Sequence, residues 1–173
     1  MISDRMQQLI NNLIQIEYQS AYLYLAMSNY FNRLNLTGIG HWFRVQHDEE
    51  RGHALKLIDY LTDRNGVVQI KNIPEQPINF GNTVEAFQKV LAHEQYVTEN
   101  YRQAYTIAQQ EGDQQSIVIF LEFLREQTEE EAQTITILER FQLAGNNASA
   151  VLLLDQELGQ REPVDMTARG QGG

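Results

Sequence analysis

Carboxylate and imidazole side chains stand where the apolar stripe of a predicted helix should continue. In residues 47–61, apolar residues recur from Ala54 to Leu61 with the spacing of one helical face. Followed towards the N-terminus, the same face reaches His53 and then Glu50. Because a glutamate and a histidine three residues apart share a helical face, both can bind the same metal ion.

Three other predicted helices carry polar residues in the middle of an otherwise apolar seam. Each seam, traced at alternating steps of three and four residues, is apolar or aromatic towards its ends. In antiparallel helices of similar length, the middles of the seams meet at one level. The polar residues that we expect to converge are Glu17, Glu50, His53, Glu94, Gln127 and Glu130.

Carboxylates placed together in an apolar interior require compensating charge. Burying one ion costs several kcal/mol, and like charges at close range add to that cost. No Lys or Arg occupies the middle of these seams, so the charge must come from protons or from two divalent metal ions. Oxygen-rich ligands with imidazole and without sulfur suit non-haem iron or manganese, with zinc as a competitor. Two such metal ions together could reduce O₂ to peroxide.

Composition narrows the class of protein. The chain has 173 residues, which suits one domain, and a formal charge of −10 that argues against nucleic-acid or anionic-membrane partners. It has no cysteine, which excludes a disulfide framework and a thiolate site. The N-terminus lacks the apolar region of a signal peptide, and no apolar run has the length of a membrane span. These features predict a cytoplasmic protein.

The elements that must position these residues are four long helices and a short fifth one. Asn65-Gly66 and the EGDQQ stretch are turn signals, and the segment between the second and third helices is a long connection. This pattern predicts an all-α four-helix bundle with one long crossover connection. Residues 1–160 would form the domain and residues 161–173 a flexible tail. The predicted helices run from about Ser3 to Arg33, Thr37 to Asn65, Thr83 to Gln110, Ser116 to Leu143 and Ser149 to Leu158.

Further residues near these seams have two interpretations each. Glu49, Glu126 and Glu129 could form a solvated acidic face or a third metal position. Tyr24, two helical turns after Glu17, could be a core tyrosine or could orient a ligand or donate an electron. The remaining histidines are expected at ordinary surface or capping positions: His41, His47 and His93.

Taken together, the motifs resemble those of the bacterial non-haem ferritins. They are I-E-Y-Q-S-A-Y-L-Y around Glu17, H-D-E-E-R-G-H-A around Glu50 and His53, H-E-Q around Glu94, and E-Q-T-E-E-E at residues 126–131. The turn L-A-G before the short fifth helix also fits, so the resemblance covers essentially residues 1–160.

The resemblance implies an intrasubunit di-iron ferroxidase centre. Glu17, Glu50 and His53 would hold the first iron, and Glu50 would bridge to a second. The second iron would be held by Glu94 and Glu130 with Gln127 nearby, and Tyr24 would lie beside the centre. The residues matching the family's third iron site are Glu49, Glu126, Glu129 and Glu130.

The resemblance also implies the function. Fe(II) would be oxidised by O₂ or H₂O₂ and stored as a ferric oxyhydroxide mineral in a shell of about 24 identical subunits, with the fifth helix at its four-fold axes. The alternatives are a ferritin-like di-iron oxidase or peroxidase without mineral storage, and a helical-bundle interaction module without metal chemistry.

This sequence departs from related ferritins in two places. Bacterioferritins place a haem-ligating methionine after the bridging glutamate and close the fourth helix's motif with histidine, whereas here Arg51 and Glu130 occupy these positions. We therefore expect no haem, and we expect the second iron to bind more weakly than the first. Animal ferritins line their three-fold channel with acidic residues, and the matching positions here are Ile117 and Phe120. An acidic entry route is therefore in doubt.

Overall fold

The predicted helices are present in the predicted order in residues 2–163, the part of the chain that this computed structural model describes. The all-α fold with a long crossover connection and a short last helix is confirmed. Residues 164–173, most of the predicted tail, lie outside the described residues, so the division at residue 160 stays a prediction. The helices are α1 (Asp4–Arg33), α2 (Thr37–Asp63), α3 (Thr83–Glu111), α4 (Gln114–Ala144) and α5 (Ala148–Leu158).

Side-chain caps explain where the helices begin. The Ser3 hydroxyl accepts a hydrogen bond from the Met6 amide at 3.1 Å, as predicted for α1. α3 begins at the predicted Thr83, after a capping box formed by Asn82 and Glu85. α4 begins earlier than predicted, at Gln114, because the Asp113 side chain caps it by accepting a hydrogen bond from the Ser116 amide.

The N-terminus of α2 takes its cap from another element. Leu36 precedes this helix and has no side-chain acceptor to offer. The Asp155 carboxylate of α5 instead accepts a hydrogen bond from the Ile39 amide at 2.8 Å. Gly38 permits this approach, because a Cβ there would lie 1.7 Å from the Asp155 carbonyl oxygen. α5 is therefore fixed against the start of α2.

The connection between α2 and α3 follows α1. The Asn11 side chain donates to the Val67 carbonyl at 2.9 Å and accepts from the Gln69 amide at 2.6 Å. Further along, the Gln15 amide group donates to the Asn72 carbonyl at 2.9 Å. The connection therefore spans the bundle between two antiparallel hairpins, α1–α2 and α3–α4.

The apolar core consists of two clusters. One contains Leu13, Leu57 and Phe120, and the other contains Phe43 and Phe87. On every long helix the polar seam residues fall between the segments that supply these two clusters. The fold therefore encloses a polar layer between two apolar ones. None of the helices within residues 2–163 has an apolar stretch long enough to cross a bilayer.

Candidate metal centre

Three predicted ligands form a buried cluster between α1 and α2. Glu17, Glu50 and His53 each place one ligand atom within 4.8 Å of the others. The His53 Nδ1 atom lies 3.2 Å from Glu50 Oε2 and 3.7 Å from Glu17 Oε2. Within residues 2–163, no other group of three or more acidic, His or Cys side chains comes together in this way.

Two oxygen atoms of this cluster lack a hydrogen-bond partner. Glu17 Oε2 and Glu50 Oε1 are buried and accept no hydrogen bond. Buried acceptors are almost always paired, since an unpaired one costs its full desolvation free energy. Two unpaired carboxylate oxygens beside an imidazole are a donor set that a divalent cation would complete, and the residues present therefore fit a metal ion.

Two tyrosines connect α1 with α3 across this layer. The Tyr24 hydroxyl donates to Glu94, and the Tyr101 hydroxyl donates to Glu17. Tyr101 also stacks on Phe123, with ring centroids 4.7 Å apart. Tyr101 was not among the residues predicted for the site. Its signal was available, because Tyr101 follows Glu94 by the same interval at which Tyr24 follows Glu17.

The predicted ligands of the second metal ion are held by amide side chains. Gln127 Nε2 donates to Glu94 Oε2 at 2.9 Å. Gln46 Nε2, from α2, donates to Glu130 Oε2 at 2.9 Å. Gln46, four residues before Glu50 and so on the same helical face, was not among the predicted site residues. In the structure Glu94 is therefore bonded to Gln127 of α4, whereas Glu130 is bonded to Gln46 of α2.

Burial and the charges of neighbouring groups shift the pKa values of Glu17, Glu50 and His53, and the two carboxyls shift in opposite directions. Burial raises the pKa of Glu17, but the close contact with the His53 imidazole and the charge of His53 outweigh this and lower it overall. Burial and then the Glu17 charge hold the pKa of Glu50 well above its usual range, although His53 opposes this. Burial lowers the pKa of His53, yet Glu17 and Glu50 raise it well above normal. The cluster therefore favours an imidazolium between one ionised and one protonated carboxyl.

The second group is also shifted towards its protonated form. Burial, followed by the charge of Glu130, raises the pKa of Glu94 to about 7. Burial and then the charge of Glu49 raise the pKa of Glu130. Protons thus supply part of the compensation that the sequence requires, and a cation would have to release them.

The carboxylates predicted for a third metal position are not gathered around one point. Glu49 is paired with Arg161 at 2.5 Å. Glu126 lies 3.4 Å from His53 and 3.8 Å from Lys56. Glu129 is exposed.

The other histidines are partly buried, and each bonds to another element. His93 Nε2 lies 2.7 Å from the Ser20 hydroxyl, and His47 Nδ1 lies 2.8 Å from the carbonyl oxygen of Ala21. His41 Nε2 lies 2.8 Å from the carbonyl oxygen of Arg161. These contacts differ from the surface positions expected from the sequence, because no periodicity reports on contacts between elements far apart in the chain.

Comparison with known proteins gives the family. The model of the Ferritin family, described as a ferritin-like domain, matches residues 7–144. A bacterial non-heme ferritin of Bacteroides fragilis is 37% identical over 161 residues, covering 93% of this chain and all of the relative. One from Staphylococcus aureus is 32% identical over 93% of this chain and 97% of its own length.

Solved structures agree with the sequence comparison. An open-pore ferritin from the hyperthermophilic archaeon Archaeoglobus fulgidus is 37% identical, with a TM-score of 0.92 over 94% of this chain and 100% of that chain. A closed form of the same ferritin, engineered by site-directed mutagenesis, reaches 0.93 over 95% of this chain and 100% of its own. The resemblance to bacterial non-haem ferritins is confirmed, and the chain belongs to the ferritin family.

Proposed function

We propose that this chain oxidises Fe(II) at an intrasubunit di-iron centre and stores the Fe(III) product as mineral inside a homo-oligomeric shell of about 24 subunits. The observation that carries the proposal is the Glu17–Glu50–His53 cluster, whose two unpaired carboxylate oxygens lie buried in a ferritin fold. Buried acceptors without a hydrogen-bond partner are rare in a packed core, and here two of them lie beside one imidazole.

Each residue has a distinct part in binding the substrate iron. Glu17 and His53 would bind the first Fe(II), and Glu50 would bridge to a second held by Glu94 and Glu130. Gln127 and Tyr24 both donate to Glu94 and so fix its orientation. The two ions have different ligands, because an imidazole binds only the first and Gln127 offers the second a neutral amide; we expect the second ion to leave first.

The oxidation balances over two iron ions. Two Fe(II) ions lose one electron each, and O₂ takes up both electrons with two protons to give H₂O₂; with H₂O₂ as oxidant the product is water. Glu50 and Glu94 release protons when iron binds. Both carboxyls lie in the same buried layer, and burial is the largest cause that raises the pKa of each. The chain thus supplies charge, orientation and protons, while iron supplies the electrons.

Aerobic loading with Fe(II), followed by size-exclusion chromatography read for protein and iron, tests both halves of the proposal. We expect Fe(III) to co-elute with a particle far larger than the 20.0 kDa chain. The Glu50→Gln variant should lose most of the rapid oxidation, whereas Glu99→Gln, at an exposed glutamate of α3, should keep it. A large particle that oxidises iron without retaining it would favour the oxidase alternative, and iron that precipitates as it does without protein would contradict both.

A further inference from the structure

Glu126 of α4 faces the second ring nitrogen of the His53 imidazole. His53 Nδ1 lies beside the Glu17 and Glu50 carboxyls, whereas His53 Nε2 lies 3.4 Å from Glu126 Oε2. That oxygen is buried and accepts no hydrogen bond, although Glu126 as a whole is only half-buried. An unpaired carboxylate oxygen is therefore placed next to the nitrogen of His53 that does not face the cluster.

Both members of this pair are held in place by their neighbours. The His53 side chain is 7% exposed, and the Phe123 ring packs edge-on against its imidazole, with centroids 5.4 Å apart and ring planes at 90°. Phe123 is itself fixed by stacking on Tyr101. Lys56 Nζ lies 3.8 Å from Glu126 Oε1, the carboxylate oxygen that does not face His53. The ring plane and the direction of the carboxylate are thus both set by packing.

Metal binding determines which atom of the imidazole carries its proton. A neutral imidazole has one N–H, so a ring whose Nδ1 binds a metal ion carries the proton on Nε2. Histidines that bind metals almost always donate this N–H to a carboxylate, a carbonyl or a water, which fixes the ring and makes the ligating nitrogen more basic. Within residues 2–163, Glu126 is the only side chain that forms an ion pair or hydrogen bond with His53 Nε2.

We propose that Glu126 is a positioning residue for His53: its carboxylate accepts the Nε2–H and so presents the Nδ1 lone pair to the first metal ion. The inference rests on the proposed function, because it needs a metal ion at the Glu17–Glu50–His53 cluster. It gives Glu126 a role at the first metal position in place of a role as ligand to a separate ion. The distance of 3.4 Å should shorten on metal binding, since hydrogen bonds in a site are often long until the ligand is bound.

Titration calorimetry of the metal-free protein with Zn(II), a redox-inert probe, tests the proposal. In Glu126→Ala we expect the tightest binding phase to weaken by about 10- to 100-fold, as is usual when the partner of a metal-binding histidine is removed. Glu126→Gln should lie closer to the wild type, because its amide oxygen still accepts the N–H. The matched control is Glu122→Ala, which removes the other carboxylate bound to Lys56 and should leave this phase unchanged.

Solid-state ¹⁵N NMR of histidine-labelled protein at saturating Zn(II) follows the proton itself. The Nε2 signal of His53, assigned by its loss in His53→Gln, should show a strongly hydrogen-bonded N–H in the wild type. It should shift towards that of a weakly bonded N–H in Glu126→Ala and stay near the wild-type position in Glu126→Gln. Circular dichroism establishes that each variant keeps its helical fold.

The outcomes separate this inference from its alternatives. A Glu126→Ala variant that keeps the tightest phase and loses only a weaker one would make Glu126 a direct ligand of another ion, and would overturn the inference. An unchanged isotherm or an unchanged Nε2 signal in that variant would overturn it as well. The proposed function fails separately, because in that case Glu50→Gln also binds Zn(II) as the wild type does.

Discussion

At the scale of single residues, Glu17 and Glu50 are each 1% exposed and lie side by side with one imidazole between them. Neither is neutralised by Lys or Arg within the described residues, since the ion pairs there give Glu17 and Glu50 only His53. Such an arrangement destabilises the metal-free chain. Binding of a cation removes this electrostatic destabilisation, and the free energy recovered adds to the affinity for the cation.

Replacement of Glu50 by Gln separates stability from metal binding. The amide resembles the protonated carboxyl that burial favours, and it relieves the repulsion from Glu17. We expect the free energy of unfolding of the metal-free protein to rise by about 1 kcal/mol, as is common when functional strain is removed. Zn(II) affinity should fall at the same time. Chemical denaturation with and without Zn(II) measures both, and a variant less stable than the wild type without metal would contradict the argument.

The pH dependence of stability should change sign when metal binds. The pKa of Glu94 is raised from 4.5 to about 7, so its stabilising contribution is complete below about pH 4.5 and is lost as the pH rises through 7. The raised pKa values of Glu130 and His53 act in the same direction. The lowered pKa of Glu17 acts oppositely, but only below its ordinary value.

We therefore expect the metal-free protein to be less stable at pH 8 than at pH 5, with Glu94 contributing up to about 3 kcal/mol. With saturating Zn(II) the trend should reverse, because metal binding needs deprotonated ligands. Urea unfolding at each pH measures the slopes. Glu94→Gln should flatten the metal-free slope, and an unchanged slope in that variant would assign the effect to other groups.

At the scale of elements, local patterns predicted most of the bundle, and long-range contacts account for what they missed. Helix positions followed from apolar periodicity, and Glu17 and Glu94 proved buried because their seams were traced correctly. The cap of α2 by Asp155 and the pairing of Arg161 were not predictable, since both depend on how α5 docks. The sequence places Gln46 on the same face of α2 as Glu50. Its bond to Glu130 could not be predicted, because it depends on how α4 is rotated about its axis.

The docking of α5 on α2 should depend on Asp155. Asp155→Ala removes the acceptor for the Ile39 amide and a negative charge at the N-terminus of α2. We expect a loss of about 1–2 kcal/mol in the free energy of unfolding. The control Asp4→Ala removes an exposed carboxylate from the first turn of α1 and should cost only a few tenths. Equal effects of the two substitutions in denaturant unfolding would show that Asp155 has no special role.

At the scale of the whole molecule, exposed leucines lie at the end of the bundle that carries α5. Leu152 and Leu153 are 52% and 58% exposed, and Leu143 is 90% exposed. Clustered exposed apolar side chains are typical of interaction surfaces. The proposed shell would bury them between copies of the chain, and a cytoplasmic location remains a prediction from the sequence.

Charge placed on α5 should therefore prevent assembly without unfolding the subunit. In the Leu152→Glu/Leu153→Glu variant we expect a small particle by sedimentation velocity and an unchanged helical circular dichroism spectrum. Leu55→Glu, at an exposed leucine of α2, is the matched control and should assemble normally. If the double variant still forms the large particle, α5 is not part of the contacts that close it.

The residues of the proposed metal centre are divided between the two hairpins, and this division should affect how the chain folds. α1–α2 carries Glu17, Glu50 and His53, whereas α3–α4 carries Glu94, Gln127 and Glu130. Contacts within a hairpin are local and form early. Docking of the two hairpins comes later, because it must overcome the entropy cost of closing the long connection and the repulsion between the carboxylates brought together. A divalent cation present during refolding should therefore speed the docking step, which stopped-flow fluorescence of Trp42 can time against refolding in a chelator. Fe(II) would then assist the folding of the newly synthesised chain before the folded bundle oxidises the iron.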